Sequence, residues 1–245
     1  MATHNEILLK SVAKGMFIGM EKKYIAALHK AYLFQGIDDP ERTALMDCFS
    51  PKVRRFSKNE TIFFTGDSVS HIGIILNGTA RAYLEHANGN QVIMSTLTPM
   101  SVFGEILAST RSLQSPVTVC AESEVTAAFI DYRKVCSTCP AACAAHRMFL
   151  QNMLTVIGDK YFQLFDRISI LREKTLRSKI LTYFFSLSGN GESAVVKLPF
   201  SKTMLADYLL ANRSALSKEL KKMELDGLIA VKGREVTLSR GCFDV

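Results

Sequence analysis

The sequence predicts an α+β chain: an antiparallel β-roll (jelly-roll) domain, a long dimerisation helix and a C-terminal winged helix-turn-helix. Three observations carry this. Short β-type runs separated by turn residues fill roughly residues 50–132. A heptad of apolar residues then runs unbroken from Leu150 to Leu171. Last, two short helices, each with a capping residue, are followed by two strands.

Composition bounds the alternatives. Of 245 residues, 48% are hydrophobic and 22% charged, the balance of a foldable chain and not of a disordered one. No apolar run approaches the ~18 residues that span a bilayer, and nothing resembles a cleavable leader, so a cytoplasmic location without membrane contact is expected. In such a reducing compartment the 6 unevenly spaced cysteines argue against a disulfide framework. The formal charge of +7 is uneven: residues 172–245 hold 13 Lys/Arg against 8 Asp/Glu, and the remainder 17 against 15. A basic C-terminal third on a nearly neutral body points to a nucleic-acid-binding module attached to something else.

In chain order, residues 1–31 form an N-terminal helical extension. Its first nineteen residues give no clear signal, and Met20 is an equally plausible start. Residues 32–135 form the β-roll. Its strands read from ETIFFTGD, HIGIILNG, ARAYLEHANGN, QVIMSTL and VTVCAESEVTAAFI, punctuated by Gly66-Asp67, Asn77-Gly78 and Asn88-Gly89, eleven residues apart. Residues 136–172 comprise a Cys-rich turn and the dimerisation helix. Its seam is Leu150, Leu154, Ile157, Tyr161, Leu164, Ile168 and Leu171, alternately 4 and 3 residues apart. That period suits a two-stranded coiled coil and predicts a homodimer, although a long core helix is the competing reading. A second stripe, Phe149, Met153, Val156 and Phe165, is expected to pack back on the β-domain.

Residues 173–245 form the winged helix-turn-helix. After a helix over 174–189 and a strand in SAVVKLPF, Ser201 and Asn212 are placed to cap two helices. Leu205, Ala206 and Leu209 face Leu216, Leu220 and Met223, and GLIAVKGREVTLSR reads as two strands around Lys232-Gly233-Arg234. The second helix then presents Arg213, Ser214, Ser217, Lys218 and Lys221 on a polar face. Groups of these types can reach guanine edges, other bases and phosphates.

This assembly resembles the Crp/Fnr family of bacterial transcription regulators over about residues 32–240, most specifically in 103-FGEI-106, 115-SPVTVCAESEV-125 and the NRSALSKEL of the second helix. The resemblance implies a sensor β-roll with an effector pocket at Phe103, Gly104, Glu105, Ile106, Ser115, Pro116 and Val117. In cyclic-nucleotide-binding members an Arg-Ser or Arg-Thr pair neutralises the phosphate; those positions fall on Ser115 and Pro116, which carry no charge. A buried phosphate without its cation keeps a desolvation penalty of several kcal/mol, and Arg111, four positions early, could supply one only from a rearranged loop, so cyclic AMP is not the expected effector. In the DNA domain, Arg213, Ser214 and Lys218 match base-reading positions. Ser201, Lys202 and Asn212 match phosphate-contacting ones, with Thr203 and Ser217 completing the candidate DNA surface. Ser214 replaces a common Glu, so the half-site should differ from the best-known one; Leu210 replaces a common Gly, so a distorted turn is expected. The partners implied are DNA, a second copy of the chain, an unidentified small-molecule effector and, for an activator, RNA polymerase.

One motif stands outside that frame. Cys136, Cys139, Cys143 and His146 offer ligands suited to zinc or an iron–sulfur cluster. Thiols near a helix start equally suit redox sensing, and a purely structural feature is the third reading. No cofactor is assigned on this basis. Residues 1–47 contain no cysteine, so the family's N-terminal iron–sulfur arrangement does not transfer, and a dimer helix whose sole His is at its start disfavours haem. Two other functions compete with this reading. A cupin-type metal enzyme needs clustered barrel histidines, whereas only His71 and His86 are available; a ligand-binding protein without DNA function leaves the basic helix unexplained.

Overall fold

The computed structural model describes residues 16–18, 21–85, 89, 91–137, 144–189, 194–198 and 201–239. The chain divides into two compact units, Met1–Asp159 and Lys160–Val245.

In the first unit, strand β1 (Met16–Ile18) precedes helix α1 (Lys22–Leu28), a 3-10 turn (Tyr32–Phe34) and helix α2 (Asp39–Phe49). Strands β2 (Lys52–Phe56), β3 (Thr61–Phe63), β4 (His71–Asn77), β5 (Ala80–Glu85), β6 (Gln91–Leu97) and β7 (Val102–Phe103) follow. The short helix α3 (Glu105–Ala108), β8 (Thr118–Ala121), β9 (Val125–Asp131) and helix α4 (Tyr132–Cys136) complete the roll. One sheet has the order β1-β2-β9-β4-β7 and the other β3-β8-β5-β6, antiparallel throughout. Asn77-Gly78, with Gly78 at φ 84°, does not close a hairpin; it carries the chain from the first sheet to the second. The next two strands, β5 and β6, do pair as an antiparallel hairpin, with Gly89 between them at φ 79°; Asn88 lies outside the described residues.

Two apolar cores result. Between the sheets, Phe103 meets Phe63 and Phe129 at centroid distances of 6.3 and 5.8 Å. Outside them, α1, the 3-10 turn, α2 and the helix α5 (Ala144–Arg172) bury Leu28, Leu33, Phe34, Phe49, Phe149 and Met153. Phe149 stacks edge-on to Phe34 and Phe49 at 5.1 and 4.8 Å, and Asn152 Nδ2 donates to the carbonyls of Leu33 and Gln35. Within the segment expected to be a helical extension, the described residues join the domain: β1 adds a strand beside β2, and Tyr24, Leu28 and Ala31 are buried. Phe149, Met153 and Val156 pack on this core as expected. Phe165 does not; it lies in the second unit and is 56% exposed.

The second unit holds the last turns of α5, α6 (Leu176–Leu187), β10 (Val195–Lys197), α7 (Lys202–Tyr208), α8 (Arg213–Leu225), β11 (Ile229–Lys232) and β12 (Glu235–Leu238), with sheet order β10-β12-β11. Thr175 and Ser178 form a reciprocal capping box at the start of α6. Ile170, Phe184, Leu205, Leu209, Leu216 and Met223 share one core, so the end of α5 is fixed to this unit. Arg167 reinforces the attachment, lying over the Tyr208 ring at 4.9 Å.

Candidate nucleic-acid interface and effector site

The two caps form where the side-chain chemistry places them. Ser201 Oγ accepts from Met204 N–H at 3.4 Å and Asn212 Oδ1 from Ser214 N–H at 2.8 Å, satisfying donors that an α-helix start leaves free. Leu205 and Ala206 on α7, Leu209 directly after it, and Leu216, Leu220 and Met223 on α8 are all buried. That leaves Ser201, Lys202, Thr203, Asn212, Arg213, Ser214 and Lys218 exposed, with Ser217 half-buried. The wing strands β11 and β12 pair in register around Gly233 at φ 64°, leaving Lys232 and Arg234 exposed.

The turn between α7 and α8 is not distorted by Leu210. Leu210 adopts φ 51°, and Ala211 N–H donates to Ala206 C=O at 2.9 Å, closing a regular helix end. The left-handed conformation costs an L-residue about 1–2 kcal/mol. Leu210 is 58% exposed, so little packing offsets that strain. Leu210→Gly is therefore expected to stabilise this unit by about 0.5–1 kcal/mol, after glycine's greater unfolded-state entropy is deducted. Calorimetry should show a rise of a few degrees, and a fall in melting temperature would refute the strain argument.

The pairing that holds α8 from behind leaves no signal in the sequence. Arg177 on α6 donates from Nε to Glu219 at 2.6 Å and pairs through its second nitrogen with Asp226 at 2.7 Å, which raises the guanidinium pKa through the Glu219 hydrogen bond first. These partners are more than forty residues apart in the chain, and no local periodicity reveals such a pairing.

The effector-pocket residues are brought together around α3, but in different roles. Gly104, at φ 79°, leads into the helix; a Cβ there would lie 2.7 Å from the His71 carbonyl oxygen, so a side chain is excluded. Glu105 is buried, Ile106 is exposed, and Phe103 belongs to the inter-sheet core. Ser115 is buried, and its hydroxyl donates to Val117 C=O at 2.6 Å while accepting from Val117 N–H at 3.2 Å. Its backbone is pinned to the Gly66-Asp67 turn. Pro116 and Arg111 are exposed, and Val117 is half-buried. The hydroxyl at the expected phosphate position is therefore engaged within its own loop, and no cation sits at 115 or 116.

Along α5 the seam divides. Leu150 and Ile157 pack partly on the first core, whereas Leu154, Tyr161, Leu164 and Ile168 are 66, 63, 50 and 49% exposed; Leu171 is half-buried. Phe162 and Phe165 widen the bare stripe. Single-chain helices rarely expose so much apolar surface without a partner.

Of the Cys/His motif, Cys139 and Cys143 lie outside the described residues. Cys136 is exposed at the end of α4, where its thiol hydrogen-bonds Tyr132 and raises that phenol's pKa. His146 is buried in the first turn of α5, edge-on to Phe49 at 5.0 Å, with Nε2 2.6 Å from Val135 C=O. A carbonyl only accepts, so Nε2 carries the proton and His146 serves as a core tie between α4 and α5. Among the described residues no three His, Cys, Asp or Glu side chains come together as a metal site, and no helix is long and apolar enough to cross a membrane.

Comparison with known proteins agrees with this geometry. Residues 53–139 match the family profile of the cyclic nucleotide-binding domain, and residues 178–240 that of the Crp-like helix-turn-helix domain. The transcriptional activator protein FnrA of Stutzerimonas stutzeri is 24% identical over 201 residues, covering 79% of this chain and 80% of its own. A probable transcriptional regulator, flp, of Lacticaseibacillus casei is 23% identical, covering 84% and 90%. A CooA mutant from Carboxydothermus hydrogenoformans shares the fold, with a TM-score of 0.61 at 17% identity over 80% of this chain and 85% of that one.

Proposed function

This chain belongs to the Crp/Fnr family of transcription regulators, and from that premise we propose that it works as a homodimer reading a two-fold symmetric DNA site. The observation that carries this is the exposed face of α8: Arg213, Ser214 and Lys218 beside two capped helix starts, on a helix whose other side is core. The proposed contacts divide by chemistry. Arg213, Ser214, Ser217 and Lys218 take base edges in the major groove, while Ser201, Lys202, Thr203 and Asn212 take phosphates and fix register. The bare stripe Leu154, Tyr161, Leu164 and Ile168, with Leu150, Ile157 and Leu171, is the proposed dimer seam. We divide the chain functionally as 1–31, 32–135, 136–172 and 173–245: an N-terminal segment, a β-roll, the dimerisation helix with its Cys-rich turn, and the DNA-binding domain. The protein is no enzyme in this reading, acts in the cytoplasm, and touches RNA polymerase where it activates.

The β-roll is proposed to sense a small molecule around Phe103 to Ile106 and Ser115 to Val117, or a redox signal at the Cys136–His146 motif. Either input is transmitted along α5 to the helix-turn-helix. Cyclic AMP is not that input, because Ser115 and Pro116, at the positions that match the phosphate-neutralising pair, carry no charge, and Arg111 stands four positions before them. A ligand present at a hundredfold over its Kd stabilises its site by about 2.7 kcal/mol, so cyclic AMP at about 1 mM is expected to leave the melting temperature unchanged. A rise of several degrees would restore the nucleotide reading. The DNA reading itself is tested by selection from random duplexes with the full chain at low salt. An inverted repeat with half-sites about 10 bp apart is expected, and recovery of unrelated sequences would reject it.

A further inference from the structure

The first turn of α8 is more specific about bases than a merely basic face. Asn212 Oδ1 lies 2.8 Å from the backbone nitrogen of Ser214. A backbone N–H only donates, so the Asn212 atom facing it must be the carbonyl oxygen and not the amide nitrogen. The same oxygen lies 2.6 Å from Ser214 Oγ. An amide oxygen carries no hydrogen, so the hydrogen in that short contact belongs to the Ser214 hydroxyl. A free serine is ambivalent, donating or accepting as its rotor turns. This one has its proton committed, and only lone pairs face solvent. Locking Oδ1 also leaves the Asn212 Nδ2 amide as the donor for a phosphate.

We infer that Ser214 is a specificity-determining residue that, as a pure hydrogen-bond acceptor, selects an amino-bearing over a keto-bearing base at one position of each half-site. In the major groove adenine N6 and cytosine N4 donate, whereas thymine O4 and guanine O6 accept. Every base pair shows one of each, so Ser214 reads which strand carries the amino base. Arg213 and Lys218, which only donate, complement it by favouring guanine edges at neighbouring positions. The inference rests on α8 being the recognition helix, and the test separates the two.

The experiment uses the full-length protein and the duplex selected as above, with the paired bases exchanged between strands at each position in turn. Wild type should prefer the amino base at one symmetric pair of positions by about five- to tenfold. Ser214→Ala should flatten that ratio to within about twofold there and nowhere else. Asn212→Ala frees the hydroxyl proton and should flatten it too, whereas Asn212→Asp keeps both acceptances and should keep the ratio while weakening overall affinity against phosphate. Because the readout is a ratio between two duplexes, a general loss of affinity cancels. If Ser214→Ala or Asn212→Ala keeps the wild-type ratio while Arg213→Ala weakens binding, the inference is overturned and the recognition helix stands. If Arg213→Ala also changes nothing, both fall.

Discussion

Leu164→Lys should convert the protein to a monomer without unfolding it. Leu164 is 50% exposed in the single chain and lies at the middle of the bare part of the seam, so the substitution removes little intrachain packing. Across a two-fold seam, however, each copy loses a buried leucine, about 1.5–3 kcal/mol apiece, and gains an ammonium facing its twin. The dimer dissociation constant should rise on the order of a thousandfold, read by sedimentation equilibrium, with the circular dichroism spectrum unchanged. Operator binding should fall with it, since a monomer engages one half-site. A dimer of wild-type affinity would assign the exposed stripe of α5 to another partner.

Arg213→Ala should weaken binding to the selected duplex by about a hundredfold, because a two-fold complex loses a charged, base-edge contact twice. Arg213 is exposed and Asn212, not Arg213, caps the helix, so stability should barely move. The loss should concentrate at one base position. A Lys202 substitution, by contrast, should weaken all sequences alike and flatten the salt dependence. Wild-type affinity in Arg213→Ala would displace the recognition surface from α8.

The parts of this molecule that were legible from sequence are those where local chemistry and tertiary structure agree. The β-runs alternate with turn residues, the two caps are local hydrogen bonds, and Leu205 to Met223 keep helical spacing, so each element is specified within its own segment. The N-terminal part was not. The three residues of β1 are too few to show a period, and their partner, β2, carries Arg54 and Arg55 where apolar residues would announce a strand. Arg54 is buried over the Phe129 ring, 5.8 Å away, an environment set by β9 some seventy residues later. Phe165 fits the stripe of Phe149 and Met153 in spacing, yet the core those two enter does not extend that far along α5. Leu210 shows the converse: the sequence suggested a disturbed turn, and the chain holds the turn and bears the strain. In the candidate sites, residue identity located the basic face, but the closed hydroxyl of Ser115 and the committed proton of Ser214 depend on rotamers that no motif encodes.

The proposed function requires two copies of this chain to read two symmetric half-sites together. Binding of the full-length protein to the selected inverted repeat, and to a duplex of equal length with one half-site scrambled, tests it most directly. The expected result is two chains per intact duplex, with affinity at least about a hundredfold weaker once a half-site is lost. One chain per duplex, or equal affinity for both, would contradict it.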